Sequence, residues 1–149
     1  MHDFGFALGK QLLAGDFVVL SGQLGAGKTT FTQGLAAGLN VLGSVTSPTF
    51  VISRIHKSAG SGPNLVHVDA YRLNSPDQLM DLDLTDQENS VVVIEWGTPY
   101  ISALTEDWLA IDISRESLID SVDPAAGSRK VLVSAFGDRW RNLDLASLQ

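Results

Sequence analysis

Gly22-Gln23-Leu24-Gly25-Ala26-Gly27-Lys28-Thr29 is the stretch that decides the fold. It fits G-x-x-x-x-G-K-[ST], the phosphate-binding loop between a strand and a helix. Ordinary amino-acid usage would meet its four constrained positions by chance in roughly one chain of this length in a few hundred. The flanks narrow that further. Phe17-Val18-Val19-Leu20 just before it is a short apolar run, read as a buried strand. From Lys28 to Leu39, Phe31, Leu35 and Leu39 fall four apart, on one helical face. Strand, glycine loop and helix follow in the order the motif needs.

Each position of the loop has its own physical task. Gly22, Gly25 and Gly27 let phosphate oxygens approach the main chain, whose N–H groups curl around them as an anion nest. A helix starting at Lys28 points its unbonded N–H groups and the positive end of its dipole at the same place. Lys28 would reach the β- and γ-phosphates as a point charge, and Thr29 would offer its hydroxyl to Mg²⁺.

Further out, Phe4, Leu8 and Leu12 share a helical register, which predicts a helix over Phe4 to Leu13, ended by Ala14-Gly15-Asp16. Downstream of the loop, the pattern predicts strands at Phe50 to His56, Leu65 to Val68, Val91 to Ile94, Trp108 to Ile113 and Lys130 to Val133. The flexible turn from Ser58 to Asn64 lets the first two of these pair antiparallel. Pro76 to Leu84 reads as a short acidic helix with Ser75 or Asn74 as N-cap. Asn40 to Ser47 and Arg115 to Ser128 read as loops. The expected fold is therefore α/β: one P-loop NTPase domain over residues 1–149. Its single sheet is parallel around the P-loop, antiparallel at the edge and flanked by helices.

Composition sets the bounds. The 149 residues suffice for one domain with a real core. Hydrophobic residues make up 44% and charged residues 18%, which places the chain among globular proteins. No apolar run approaches the ~20 residues of a membrane helix, and Met1-His2-Asp3-Phe4 lacks a signal peptide's basic and apolar regions. The absence of cysteine excludes disulfides, thiol catalysis and cysteine zinc sites, and agrees with a cytoplasmic location. Ten basic against 17 acidic residues give a net charge of −7. Nucleic-acid backbones are held by Lys and Arg, so this balance argues against an autonomous grip on DNA or RNA. It directs attention to a nucleotide pocket and a protein partner.

Hydrolysis needs a carboxylate to hold Mg²⁺ and a group to orient the attacking water. Glu95 ends Val91-Val92-Val93-Ile94, and Asp69 ends Leu65-Val66-His67-Val68. Both stand where an α/β sheet places its ligands. The loop Ser47-Pro48-Thr49 is a candidate nucleotide-sensing switch, with Thr46, Ser47 and Thr49 supplying hydroxyls beside a phosphate. His56 and His67 read as strand residues rather than metal ligands. Trp96, Trp108 and Trp140 read as core or rim aromatics, with Trp96 placed to face the site.

Four motifs in order carry a resemblance: Gly22 to Phe31, Ser47-Pro48-Thr49-Phe50, His67-Val68-Asp69-Ala70-Tyr71-Arg72-Leu73 and Ile94-Glu95-Trp96-Gly97. Together they resemble the TsaE family, formerly YjeE, the bacterial ATPase of tRNA threonylcarbamoyladenosine synthesis. The tail Gly137-Asp138-Arg139-Trp140 is also similar to that family's C-terminus. The resemblance implies ATP and Mg²⁺ as cofactors. Lys28 and Thr29 would hold phosphate and metal, Glu95 would be the Mg²⁺ acid, and Asp69 would support hydrolysis. Thr30 would help hold the nucleotide, with Gly22, Gly25, Ala26, Gly27, Phe31 and Thr49 as further contact positions. The family works with a TsaB–TsaD pair, in which TsaD transfers the carbamoyl group to tRNA, so tRNA would be reached only through partners. Members usually open on a strand before the first helix, whereas this chain starts almost at the helix, as if truncated. Some members also place a basic residue near the nucleotide. The 115–128 loop shows no match to it, and Arg129 is the nearest candidate.

Two other readings compete. A small-molecule P-loop kinase would carry an arginine-rich lid, but Arg54, Arg72, Arg115, Arg129, Arg139 and Arg141 are scattered. A nucleotide-gated binding module with negligible turnover would act by ordering Ser47-Pro48-Thr49. The lack of any Asn-Lys-x-Asp sequence argues against a guanine-specific GTPase.

Overall fold

The computed structural model describes residues 1–84, 88–116 and 128–148. In chain order its elements are α1 (His2–Gly9), β1 (Phe17–Gly22), α2 (Lys28–Leu39), β2 (Ser53–His56) and β3 (Asn64–Asp69). There follow α3 (Pro76–Met80), β4 (Ser90–Glu95), β5 (Trp108–Arg115) and β6 (Arg129–Phe136). Short 3₁₀ turns lie at Ile101–Ala103, Asp138–Trp140 and Ala146–Leu148.

The six strands form one sheet in the order β2-β3-β4-β1-β5-β6. β3, β4, β1 and β5 run parallel, and β2 and β6 pair antiparallel at the two edges. The expected mixed sheet is thus realised, with an antiparallel strand on both edges rather than one. Every residue of β4 is buried, as a parallel strand covered on both faces requires.

Alternate side chains on each strand point to opposite faces, and two cores result. Val18, Leu20, Leu65, Val91, Val93, Ile111 and Ile113 pack with Leu8, Phe31, Leu35 and Leu39 of the helices. Phe17, Val19, Val66, Val68, Val92 and Ile94 pack with Leu79, Leu84 and Ile101 on the other face.

Several predicted boundaries moved, for local reasons. The first helix ends at Gly9 rather than Leu13, because Leu8 and Gly9 carbonyls accept the N–H groups of Gln11 and Leu12 in tighter three-residue turns. β2 starts at Ser53 rather than Phe50. The Pro48 carbonyl takes the N–H groups of both Val51 and Ile52, and Ile52 adopts a left-handed φ of 67°. α3 stops at Met80 rather than Leu84, in tight turns that end with Asp83 at φ 52°. Ser75 occupies its N-cap, and Gln78 reaches back to accept the Asn74 N–H at 2.7 Å. β5 and β6 extend beyond the predicted runs, because their ladder continues to the Arg115–Arg129 pair. Most of the 115–128 loop lies outside the described residues.

Two contacts lock the layers. Arg139 makes a paired hydrogen bond to the buried Asp16 carboxylate at 2.8 and 2.7 Å, tying the C-terminal segment to the turn before β1. α1 and α2 touch backbone to backbone. A Cβ at Gly34 would collide with the His2 carbonyl, and one at Gly5 with the Phe31 carbonyl. Gly34→Ala should therefore destabilise the protein by about 1–3 kcal/mol despite alanine's better helix propensity. That lowers the thermal midpoint by several degrees. An unchanged midpoint by circular dichroism would contradict this helix crossing.

Candidate functional site

β1 delivers the chain to the carboxyl edge of the sheet, and residues 23–27 turn back into α2. The turn depends on its glycines at two points. Gly27, the residue capping α2, sits at φ 116°, and Gly22 passes so close to the Ile113 carbonyl that no side chain would fit. The N–H groups of Gly27, Lys28, Thr29 and Thr30 find no acceptor among the described residues. These donors stand at the positive end of the α2 dipole, the arrangement by which helix N-termini can hold anions.

Lys28 is only 7% exposed. Its Nζ donates to the carbonyls of Gly22 at 2.6 Å and Gln23 at 3.2 Å, and lies 4.6 Å from the Trp96 ring centre. Burial pushes its pKa below the usual lysine value, against the opposing pull of Glu95 and Asp69.

The two acids are brought together by strand register. Asp69 pairs with Glu95 across β3 and β4, and Glu95 with Leu20 across β4 and β1. They are 7% and 4% exposed. An Asp69 carboxylate oxygen accepts the Tyr71 N–H at 2.9 Å. A Glu95 oxygen lies 3.0 Å from the Nε2 of His67, which is fully buried.

A cavity of about 430 Å³ opens here, lined by Gln23, Leu24, Thr49, Asp69, Tyr71 and Trp96. Thr49 therefore joins the site, and its hydroxyl lies 2.8 Å from that of Ser47. Trp96 holds a left-handed φ of 61°, a strained conformation for a bulky residue. This places its ring over Lys28 and 5.5 Å from that of Tyr71. Trp96 thus faces the site.

Of the candidate residues, Gly22, Gly25, Gly27, Lys28 and Thr29 form the loop and helix start, and Thr30 follows, exposed, on the first turn. Ala26 contributes main chain only, since its side chain is buried among core residues. Phe31 must be corrected. Its ring is 0% exposed, tilted against Phe4 in the core, and its N–H is taken by the Gly27 carbonyl at 2.9 Å. It supports the loop from below and offers the cavity nothing.

Two contributors, His67 and Arg115, are not candidates on sequence alone. His67 was assigned only to a strand. Its signal was a polar residue inside an otherwise apolar strand, which needs a buried partner. Arg115 donates to the Gly25 carbonyl at 2.7 Å and Arg129 Nε to that of Ala26 at 3.0 Å. Arg129, the nearest basic candidate, reaches the loop, and Arg115 reaches it too. They come from the paired ends of β5 and β6, a proximity that no local pattern reveals.

Among the described residues, no group of three or more His, Cys, Asp or Glu side chains could form a metal cage. Mg²⁺ in nucleotide sites keeps waters and phosphate oxygens and takes only one or two protein ligands, so the donor pair of Thr29 and Glu95 fits it. Among the described residues, no helix is long and apolar enough to cross a membrane.

Comparison with known proteins gives concordant matches. Residues 1–121 match the family model described as "Threonylcarbamoyl adenosine biosynthesis protein TsaE". A Streptomyces coelicolor protein named tRNA threonylcarbamoyladenosine biosynthesis protein TsaE is 51% identical, over 99% of both chains. A Mycobacterium tuberculosis protein of the same name is 48% identical, covering 78% of this chain and 74% of its own. The crystal structure of YdiB from Bacillus subtilis superposes with a TM-score of 0.70 at 29% identity, covering 93% of this chain and 80% of that one.

Proposed function

The chain belongs to the TsaE family, and from that premise we propose that it is a Mg²⁺-dependent ATPase of tRNA threonylcarbamoyladenosine biosynthesis. In this reading it is one P-loop domain that works in the cytoplasm beside a TsaB–TsaD pair. The carbamoyl transfer and the tRNA contacts belong to those partners, which agrees with a net charge of −7.

The observation that carries the reading is the alignment of three features at one sheet edge. These are the unbonded N–H groups of Gly27 to Thr30, the buried Lys28 and the register-matched Asp69 and Glu95. The N–H groups and Lys28 would bind the phosphates. Thr29 and Glu95 would hold Mg²⁺, which would supply neutralisation of phosphate charge when bound. Asp69, fixed by the Tyr71 N–H, would orient the attacking water. Thr49 at the cavity wall would let Ser47-Pro48-Thr49 respond to the nucleotide.

The test is titration of ATP into the purified chain by calorimetry, with Mg²⁺ and with EDTA, followed by phosphate release. Saturable binding strengthened by Mg²⁺, with slow turnover, is expected. Rapid phosphate transfer to a small metabolite would favour a kinase, and failure to bind ATP would remove the proposal.

A further inference from the structure

We propose that His67 is a positioning residue that orients the Glu95 carboxylate for its metal role, an inference that rests on reading Glu95 as the Mg²⁺ acid. His67 Nε2 lies 3.0 Å from one Glu95 oxygen, and among the described residues no other side chain hydrogen-bonds that carboxylate. A carboxylate only accepts, so the ring proton belongs on Nε2. Fixing one oxygen fixes the plane of the group and the direction of the other oxygen.

The fold alone gives no reason for this pair. His67 stands on β3 opposite Val93, amid Leu65, Val66 and Val68, all buried. An apolar residue there would complete the core without a desolvation cost, and buried polar pairs are commonly no more stable than packed hydrophobic ones. The second ring nitrogen, Nδ1, is buried with no hydrogen-bond partner among the described residues, a further cost. What the imidazole supplies is one directed donor to Glu95. Residues that orient metal ligands in this way typically change metal affinity or activity about 10–100-fold when replaced.

The experiment compares His67→Leu, His67→Gln, Glu95→Gln and the double variant His67→Leu/Glu95→Gln in the full chain. It measures ATP affinity with Mg²⁺ and with EDTA, and thermal stability. His67→Leu should reduce the Mg²⁺ enhancement of ATP affinity by about 10–100-fold while leaving affinity in EDTA within about twofold. His67→Gln keeps an N–H donor near the Nε2 position and should recover most of the loss. In the Glu95→Gln background, His67→Leu should add nothing further.

A folded His67→Leu protein with wild-type Mg²⁺ dependence overturns the proposal, as does an equal loss with Glu95 already replaced. If His67→Leu does not fold, His67→Gln decides: Mg²⁺ dependence near wild type supports positioning, and a fall to the Glu95→Gln level overturns it. Should wild type show no Mg²⁺ effect on ATP binding, the metal reading of Glu95 itself falls. That outcome is distinct from failure of the His67 variants alone.

Discussion

Replacing Glu95 with glutamine is expected to lower Mg²⁺-dependent ATP turnover by about 100-fold or more while the chain still binds nucleotide. The substitution preserves volume, removes the charge and turns one acceptor oxygen into an N–H donor. Glu95 is 4% exposed at the end of a fully buried strand, in register with Asp69 on one side and Leu20 on the other. Its carboxylate is thus presented to the loop by two parallel ladders rather than by a mobile segment. In the proposed site phosphate contacts would come from the loop and Lys28, which the substitution leaves in place, so binding in EDTA should change little. Single-turnover measurements separate the two effects. Wild-type turnover in a folded Glu95→Gln protein would show that another group holds the metal.

Lys28→Ala should weaken ATP binding by about 10–150-fold, the equivalent of about 1.5–3 kcal/mol for a lost charge-assisted contact. Lys28 is 7% exposed, and its Nζ is held by the Gly22 and Gln23 carbonyls beneath the Trp96 ring. It is therefore aimed across the loop mouth before any phosphate arrives, and little side-chain entropy remains to be lost on binding. Burial pushes its pKa down, and phosphate charge would favour the protonated form. Alanine removes both the charge and the tie between the strand end and the loop. Calorimetry on the folded variant reads the change, and an unaltered affinity would remove Lys28 from the phosphate site.

Much of this site was legible because its parts are local. The loop glycines, Lys28, Thr29 and the helix to Leu39 fall within one contiguous stretch, and the structure places α2 at Lys28–Leu39 as the periodicity predicts. Asp69 and Glu95 stand out as candidates because an apolar run followed by an acid marks the end of a buried strand. What the sequence concealed was set by pairing between distant segments. The His67–Glu95 bond depends on β3–β4 register, and the grips of Arg115 and Arg129 on the loop carbonyls depend on the β5–β6 ladder. Phe31 misled for the opposite reason. It belongs to the motif by position, but helical geometry turns its ring into the core. The late start of β2 arose from the Pro48 carbonyl accepting two N–H groups, a turn that the apolar string Phe50-Val51-Ile52 obscured.

In the proposed role the loop from Gly22 to Thr29, with Asp69 and Glu95, is an ATP-hydrolysing site serving a tRNA-modifying assembly. The most direct test is steady-state ATP hydrolysis by the purified chain, alone and with the cognate TsaB–TsaD pair and tRNA, reading phosphate and threonylcarbamoyladenosine together. Slow hydrolysis alone, faster hydrolysis with the pair and sustained formation of modified tRNA that stops with Glu95→Gln are expected. Hydrolysis indifferent to the pair, with modified tRNA formed equally well by the Glu95→Gln protein, would contradict that role.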